Sequence, residues 1–240
     1  MKAGFDLLVA FVLSVTLVSP LGATPGTPSA PKAPEKGPIL TRLPDHIDAG
    51  GRYLIYLHGK IIEDEGVHPT SPQFGVYEYA KILKDLAAPG FTVISEPRTK
   101  GTPIYGYAEK VASQVKRLLA AGVPAQHITV TGFSKGGMIA MMASSMVQNP
   151  DVNYVFMASC GDWMRRVLGL RVSGRVLAIR EASDDIGGPC KVAFDRAGKL
   201  GEHRELVLHL GGGHGAFYRP HKEWLDPLLK WAEGPAKAHS

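Results

Sequence analysis

Three groups in this sequence could cooperate in acyl-transfer chemistry. Ser134 lies in "TGFSKGGMIA" (131–140), between Gly132 and Gly136. A neutral hydroxyl is a weak nucleophile and needs a base within hydrogen-bond reach; imidazole is the side chain that accepts a proton near neutral pH. His214, in "LHLGGGHGAFYRP", occupies a glycine-rich loop just past an apolar run. The other histidines fall within or at the ends of strands, in linkers, or near the termini. An imidazole acting as base needs a carboxylate to hold its tautomer and stabilise its charged form. "AIREASDDIGG" offers three: Asp184 first, because Ile186 can anchor the loop while the carboxylate turns inward; then Asp185; then Glu181, which is still on the strand.

The surrounding segments must position these groups. "HITVTGF" (127–133) reads as a strand and "KGGMIAMMASSMVQ" as a helix, so Ser134 falls on a tight strand-to-helix turn, the geometry of a nucleophile elbow. Only small side chains fit beside such a turn, and Gly132, Gly136 and Gly137 meet that demand. The backbone N–H of Lys135 then begins the helix, where partial positive charge favours a developing oxyanion. A second oxyanion donor is expected in the loop after "YLIYLHG" (53–59), from the N–H of Lys60 or, as the alternative, Ile61. His58 reads as a structural hydrogen-bonder. The methionines of the helix, Met138, Met141, Met142 and Met146, read as core packing.

Further apolar runs, "FTVISE" (91–96), "NYVFMASC" (153–160), "RVLAIREA" (175–182) and "ELVLHLG" (205–211), have strand length. Helical patterns in "FGVYEYAKILKDLAAPG" (74–90) and "GYAEKVASQVKRLLAAG" (106–122) separate the first three strands, each closing on glycine. Strand alternating with helix predicts an α/β fold: a mostly parallel central sheet with helices on both faces. Loops leaving the carboxyl ends of parallel strands share one edge, so Ser134, Asp184 and His214 are expected to converge there.

Composition is compatible with this. Of 240 residues, 45% are hydrophobic and 20% charged, which excludes a disordered chain. The net charge of +5 is scattered with no basic run, giving no support for nucleic acid as a partner. Met1 and Lys2 precede "LLVAFVLSVTLV", too short a run to span a bilayer and shaped like a secretory signal over residues 1–23, with cleavage after Ala23. Export to a periplasmic or extracellular space, with no stable membrane insertion after cleavage, is the expectation; an uncleaved anchor is the alternative. Residues 24–38, rich in proline and lacking large apolar side chains, read as a disordered spacer. The folded domain is expected over 39–236, with a tail at 237–240. Cys160 and Cys190 are expected to form a disulfide in an oxidising compartment, against the alternative of two buried thiols. Lys60, Arg98, Lys100, Lys135 and Arg219 are balanced by Glu63, Asp64, Glu65, Glu96 and Asp162, a mixed surface charge that selects no substrate.

From Tyr53 to Trp231 the chain resembles the α/β-hydrolase superfamily. The resemblance rests on "LHGK" after the first strand, "GFSKGG" at the elbow, and the chain order Ser134, Asp184, His214. It is similar to the small dienelactone-hydrolase-like and esterase members, and departs from true dienelactone hydrolases in carrying serine where they carry cysteine. The resemblance implies neighbouring strands for Cys160 and Cys190, so that a disulfide would brace the Asp184 loop. Superfamily members often begin with an antiparallel hairpin; little chain before Gly51 is available for one, so a late start to the sheet is expected. Only "GDWMRRVLGLRVSG" separates Cys160 from the next strand, too short for a cap domain. The expectation is therefore an exported serine hydrolase that cleaves ester or related acyl bonds of a small or extended substrate through an acyl-enzyme. It would need no metal and no organic cofactor. Acyl transfer or peptide cleavage by the same groups, and a non-catalytic binding protein, are the alternatives.

Overall fold

A computed structural model describes Met1 and residues 35–235. Residues 2–34 and 236–240, which hold the expected signal sequence after Met1, the expected spacer (24–38) up to residue 34 and the expected tail (237–240), lie outside the described residues. The chain joins the folded unit at Gly37, whose N–H donates to Ala87 O at 2.9 Å, and Pro38 O accepts from Val93 N.

Seven strands form the central sheet: β1 (Ile39–Leu40), β2 (Tyr53–Leu57), β5 (Thr92–Ile94), β6 (Ile128–Phe133), β7 (Asn153–Met157), β8 (Gly174–Glu181) and β9 (Leu200–Leu208). Two more, β3 (Thr70–Ser71) and β4 (Gly75–Val76), make a small separate hairpin. Order across the sheet is β1-β5-β2-β6-β7-β8-β9, and every neighbouring pair is parallel. The sheet opens, as expected, without an antiparallel hairpin, on the two-residue β1.

Both faces are covered over the inner strands, which explains why β2, β6, β7 and β8 read as unbroken apolar runs, while the edge strand β9 is exposed in its middle. Along β2, Tyr53, Ile55 and Leu57 enter one core with Val111, Val115 and Leu118 of α3 (Ile104–Ala120) and Ile139, Ala140 and Ala143 of α4 (Lys135–Val147). Leu54 and Tyr56 point the other way, into a second core with Ile82 and Leu86 of α2 (Tyr79–Ala87) and Trp224, Leu228 and Trp231 of α7 (Lys222–Ala232). Met141 is fully buried in the first core, and Met142 and Met146 pack against it, as read from the sequence; Met138, read the same way, is half-buried and joins neither core.

Between β7 and β8 the chain forms only the four-residue α5 (Trp163–Arg166); α6 (Lys191–Asp195) follows β8. Among the described residues there is no cap domain. The helix expected over 74–90 begins at Tyr79 instead, because Phe74 to Val76 belong to the hairpin. The Phe74 N–H donates to Ser71 Oγ, and buried Tyr77 stacks on Tyr218 with ring centroids 4.8 Å apart. The hairpin's tip uses the apolar residues that periodicity had assigned to the helix.

Candidate active site

Ser134 stands between β6 and α4 with φ 53° and ψ −122°. A side chain at positive φ crowds its own backbone, a conformation that persists only where the surroundings enforce it. Here they do. The Ser134 N–H donates to Met157 O at 2.9 Å, and its carbonyl accepts from Met138 N as α4 begins. A methyl at Gly132 would collide with the Gly136 backbone, and one at Gly136 with the Leu57 carbonyl. The glycines thus let β6, α4 and β2 close on the serine.

β8 and β9 deliver the other two groups. Asp184 Oδ2 accepts from His214 Nδ1 at 2.9 Å, while Oδ1 accepts the N–H groups of Ile186 at 2.9 Å and Gly187 at 3.0 Å. Since an ionised carboxylate only accepts, Nδ1 carries the proton and Nε2 keeps its lone pair. Burial alone would raise the Asp184 carboxyl; the hydrogen bonds from His214, Gly187 and Ile186 outweigh it and hold the group below the usual carboxylate range. Asp185 has no such bond and lies exposed beside it.

His214 is 6% exposed, and its ring packs on that of Phe133, the residue before Ser134, with centroids 4.7 Å apart. Phe74, from the β3–β4 hairpin, stands on another side at 6.4 Å. The imidazole and the elbow are therefore neighbours. The hydroxyl of Ser134 is not hydrogen-bonded to His214 in this structure; the hydrogen bonds that Ser134 makes here are those of its backbone.

Glu181 has a role the sequence did not suggest. Its buried Oε1 accepts from Ser183 Oγ at 3.1 Å and Gly211 N at 3.2 Å, and Oε2 accepts from Leu210 N at 2.9 Å. Ser183 Oγ in turn accepts from Gly213 N at 3.1 Å. The acid loop and the histidine loop are thus tied together behind the Asp184–His214 pair. Burial pushes the Glu181 carboxyl up, but these donors more than offset it and leave it depressed. A carboxylate at a strand end facing a glycine-rich loop was the available signal.

On the opposite rim, His58 Nε2 accepts the Arg98 N–H at 2.8 Å, so its proton sits on Nδ1, 2.9 Å from Gly59 O. Burial, then the nearby Arg98 charge, lowers its pKa to about 3, and the ring is neutral. In a trans peptide the C=O and N–H point oppositely. With Gly59 O drawn to His58, the Lys60 N–H faces the other way. A methyl on Gly59 would stand 3.8 Å from Ser134 Cβ, so this peptide borders the serine. Lys60 opens α1 (Lys60–Glu65) and Lys135 opens α4, so neither N–H has an intrahelical acceptor.

Cys160 and Cys190 are joined by a disulfide with Cα atoms 5.1 Å apart. The Gly188 N–H donates to Cys160 O at 2.8 Å, so the bridge and this bond hold the loop from 184 to 190 against the end of β7. Of the charges read as surface, Lys60 pairs with Asp64, Glu96 with Lys110 and Arg219 with Glu78, but Glu63, Arg98 and Lys135 are instead buried together. Trp163 packs at the core edge and donates its indole N–H to Ser159 O.

No family model and no curated protein matches the sequence. Among solved structures, SOBER1 from Arabidopsis thaliana superposes with a TM-score of 0.52 at 11% identity, over 77% of this chain and 98% of that one. A serine hydrolase without lid from Xanthomonas campestris aligns at 14% identity and TM-score 0.45, covering 80% and 87%. The chain has the α/β-hydrolase fold. Within that fold the elbow lies at the sheet centre, on β6, with β2 on one side and β7 on the other. Asp184 and His214 follow the last two strands in sheet order, β8 and β9.

Proposed function

We propose that this chain is a serine hydrolase that cleaves an ester or related acyl bond through an acyl-enzyme. The observation that carries the reading is the Asp184–His214 hydrogen bond at 2.9 Å, made by a ring that packs on the residue preceding a serine held at positive φ. In this reading Ser134 Oγ turns toward His214 Nε2, gives it the proton and attacks the acyl carbon. Asp184 keeps the proton of Nδ1 in place and stabilises the imidazolium. The N–H groups of Lys135 and Lys60 receive the oxyanion. His214 then protonates the leaving group, and water repeats the sequence to release the acid.

The absence of a cap domain among the described residues favours a small or extended soluble substrate reached from an open rim. Export is part of the proposal. The Cys160–Cys190 disulfide supports it, because such bonds persist in oxidising compartments; no helix of the described residues is long and apolar enough to cross a membrane.

A fluorophosphonate probe tests the reading together with hydrolysis of p-nitrophenyl esters of increasing chain length. Wild-type protein should be labelled, and Ser134→Ala should lose both labelling and at least about 10⁴-fold in kcat. Folded wild-type protein that takes no label, or Ser134→Ala that keeps its activity, would overturn the proposal.

A further inference from the structure

We infer that Glu63 is a positioning residue that holds the two oxyanion donors, the N–H groups of Lys60 and Lys135, in register with each other; the inference rests on the serine-hydrolase reading. Glu63 lies on α1, one turn beyond Lys60, with its side chain 0% exposed. Its Oε1 accepts from Arg98 Nε at 2.8 Å, and its Oε2 accepts from Lys135 Nζ. Arg98 is likewise 0% exposed and Lys135 only 14% exposed. Three ionised groups are thus taken out of water at one place, a desolvation cost that only close pairing offsets.

Both ends of the network terminate on the peptides that face Ser134. On one side Lys135 is itself the residue after the serine, so its side chain latches the start of α4 to α1. On the other, the Arg98 guanidinium donates to His58 O, and the Arg98 N–H donates to His58 Nε2. His58 in turn holds Gly59 O, which turns the Lys60 N–H away from it. An ion pair needed only for stability would not have to end on these peptides. Arg98 also leaves Nη1 buried with no partner, a cost the fold bears at this spot. The two donors come from different elements; besides the pairing of β2 with β6 and the close backbone packing of Gly136 on Leu57, Glu63 is the side chain that links them. An oxyanion hole works through donors fixed before the reaction, so loosening the bridge should act on the transition state more than on substrate binding.

The test compares wild type with Lys135→Met, Lys135→Arg, Glu63→Gln and the double variant Glu63→Gln/Lys135→Met. Melting temperature is measured for each, together with the second-order rate of fluorophosphonate labelling and kcat and KM on p-nitrophenyl acetate. Lys135→Met, which leaves the Glu63–Arg98 pair intact, should lower labelling and kcat by about tenfold with KM changed less than about twofold. Lys135→Arg should recover most of that loss. Glu63→Gln should lose about tenfold to a hundredfold, and the double variant should be no worse than Glu63→Gln, because both changes break one latch. If Glu63→Gln does not fold, Lys135→Met and its rescue by arginine decide the matter. A folded Lys135→Met with wild-type rates, a loss that arginine fails to restore, or losses that multiply in the double variant would overturn the role of Glu63. Failure of the hydrolase reading is separate: it appears as wild-type protein that takes no label.

Discussion

The two rims of the candidate site are held by different physics. On the rim that carries Lys60 and Lys135, β2 and β6 are neighbours in the sheet interior, and the loops they release are fixed by buried ions: Glu63 between Arg98 and Lys135, with neutral His58 wedged beneath. On the rim that carries Asp184 and His214, β8 lies next to the edge strand β9, whose middle residues are exposed. There two carboxylates accept main-chain N–H groups from the loops themselves, and a disulfide adds a covalent tie. The difference follows from position. In the interior, helices on both faces exclude water and make an ion network rigid. At the edge, loops have less to pack against, and direct bonds to the backbone replace packing.

That contrast can be broken most severely at Asp184. Asp184→Asn preserves the side chain's size but cannot hold the productive histidine tautomer, and should lower kcat by about 10⁴-fold with the melting temperature little changed. Activity within tenfold of wild type would mean that Asp185 or Glu181 serves as the acid. Next in size is reduction of the Cys160–Cys190 bond. Its loop of 30 residues is worth about 3 to 4 kcal/mol on the chain-entropy account, so mild reductant should lower the melting temperature and accelerate proteolysis of the acid loop. A reduced protein that melts with the oxidised one would assign the bracing to Glu181 and Asp184 alone.

Glu181→Gln comes third. An amide can accept at one atom only, so at least one of the Leu210 and Gly211 N–H groups loses its partner, at a cost of about 1 to 3 kcal/mol. Because the folded Glu181 carboxyl is depressed, its contribution is complete above the unfolded value near 4.3 and disappears as pH falls through the folded value. The stability gap between wild type and variant, read from denaturant unfolding, should therefore narrow below about pH 4. A gap independent of pH would show the carboxylate's charge to be unimportant.

The other rim is tested through His58, whose effect is a slope against pH. His58 binds no proton in the folded protein until about pH 3, whereas the unfolded chain takes one up near 6.5. Between those limits stability should rise with pH by up to about 1.4 kcal/mol per unit on account of this ring. Removing it in His58→Asn should flatten the unfolding free energy by that slope between pH 4 and 6. An unchanged slope would mean that the folded ring is charged and that the Gly59 peptide is not held as described.

Much of this was readable before any coordinates. Five apolar runs marked β2, β5, β6, β7 and β8 because both faces of the sheet are buried there; the run at 205–211 caught only the end of β9 (Leu200–Leu208), an edge strand whose middle residues are exposed. The sequence favours Asp184 over Asp185 on the ground that Ile186 can anchor the loop; Asp184 does meet His214, but Ile186 is 62% exposed, and the carboxylate is fixed instead by the N–H groups of Ile186 and Gly187. What escaped was of one kind. The β3–β4 hairpin was hidden because Phe74 and Tyr77 suit a helical period as well as a hairpin that stacks on Tyr218. Glu181 and Glu63 read as a strand residue and a surface charge, since nothing local reveals that a carboxylate will be surrounded by donors from Leu210 and Gly211, or from Arg98 and Lys135.

Local pattern alone therefore determined the α/β order of elements, the elbow at Ser134 and the strand ends from which its partners come, because periodicity and turn chemistry act over a few residues. Tertiary structure alone decided which buried charges meet, how the Gly59–Lys60 peptide is turned, and what ties the Asp184 loop to the His214 loop. Those are contacts between residues roughly 30 to 70 positions apart, and their energies depend on how completely the fold excludes water around them.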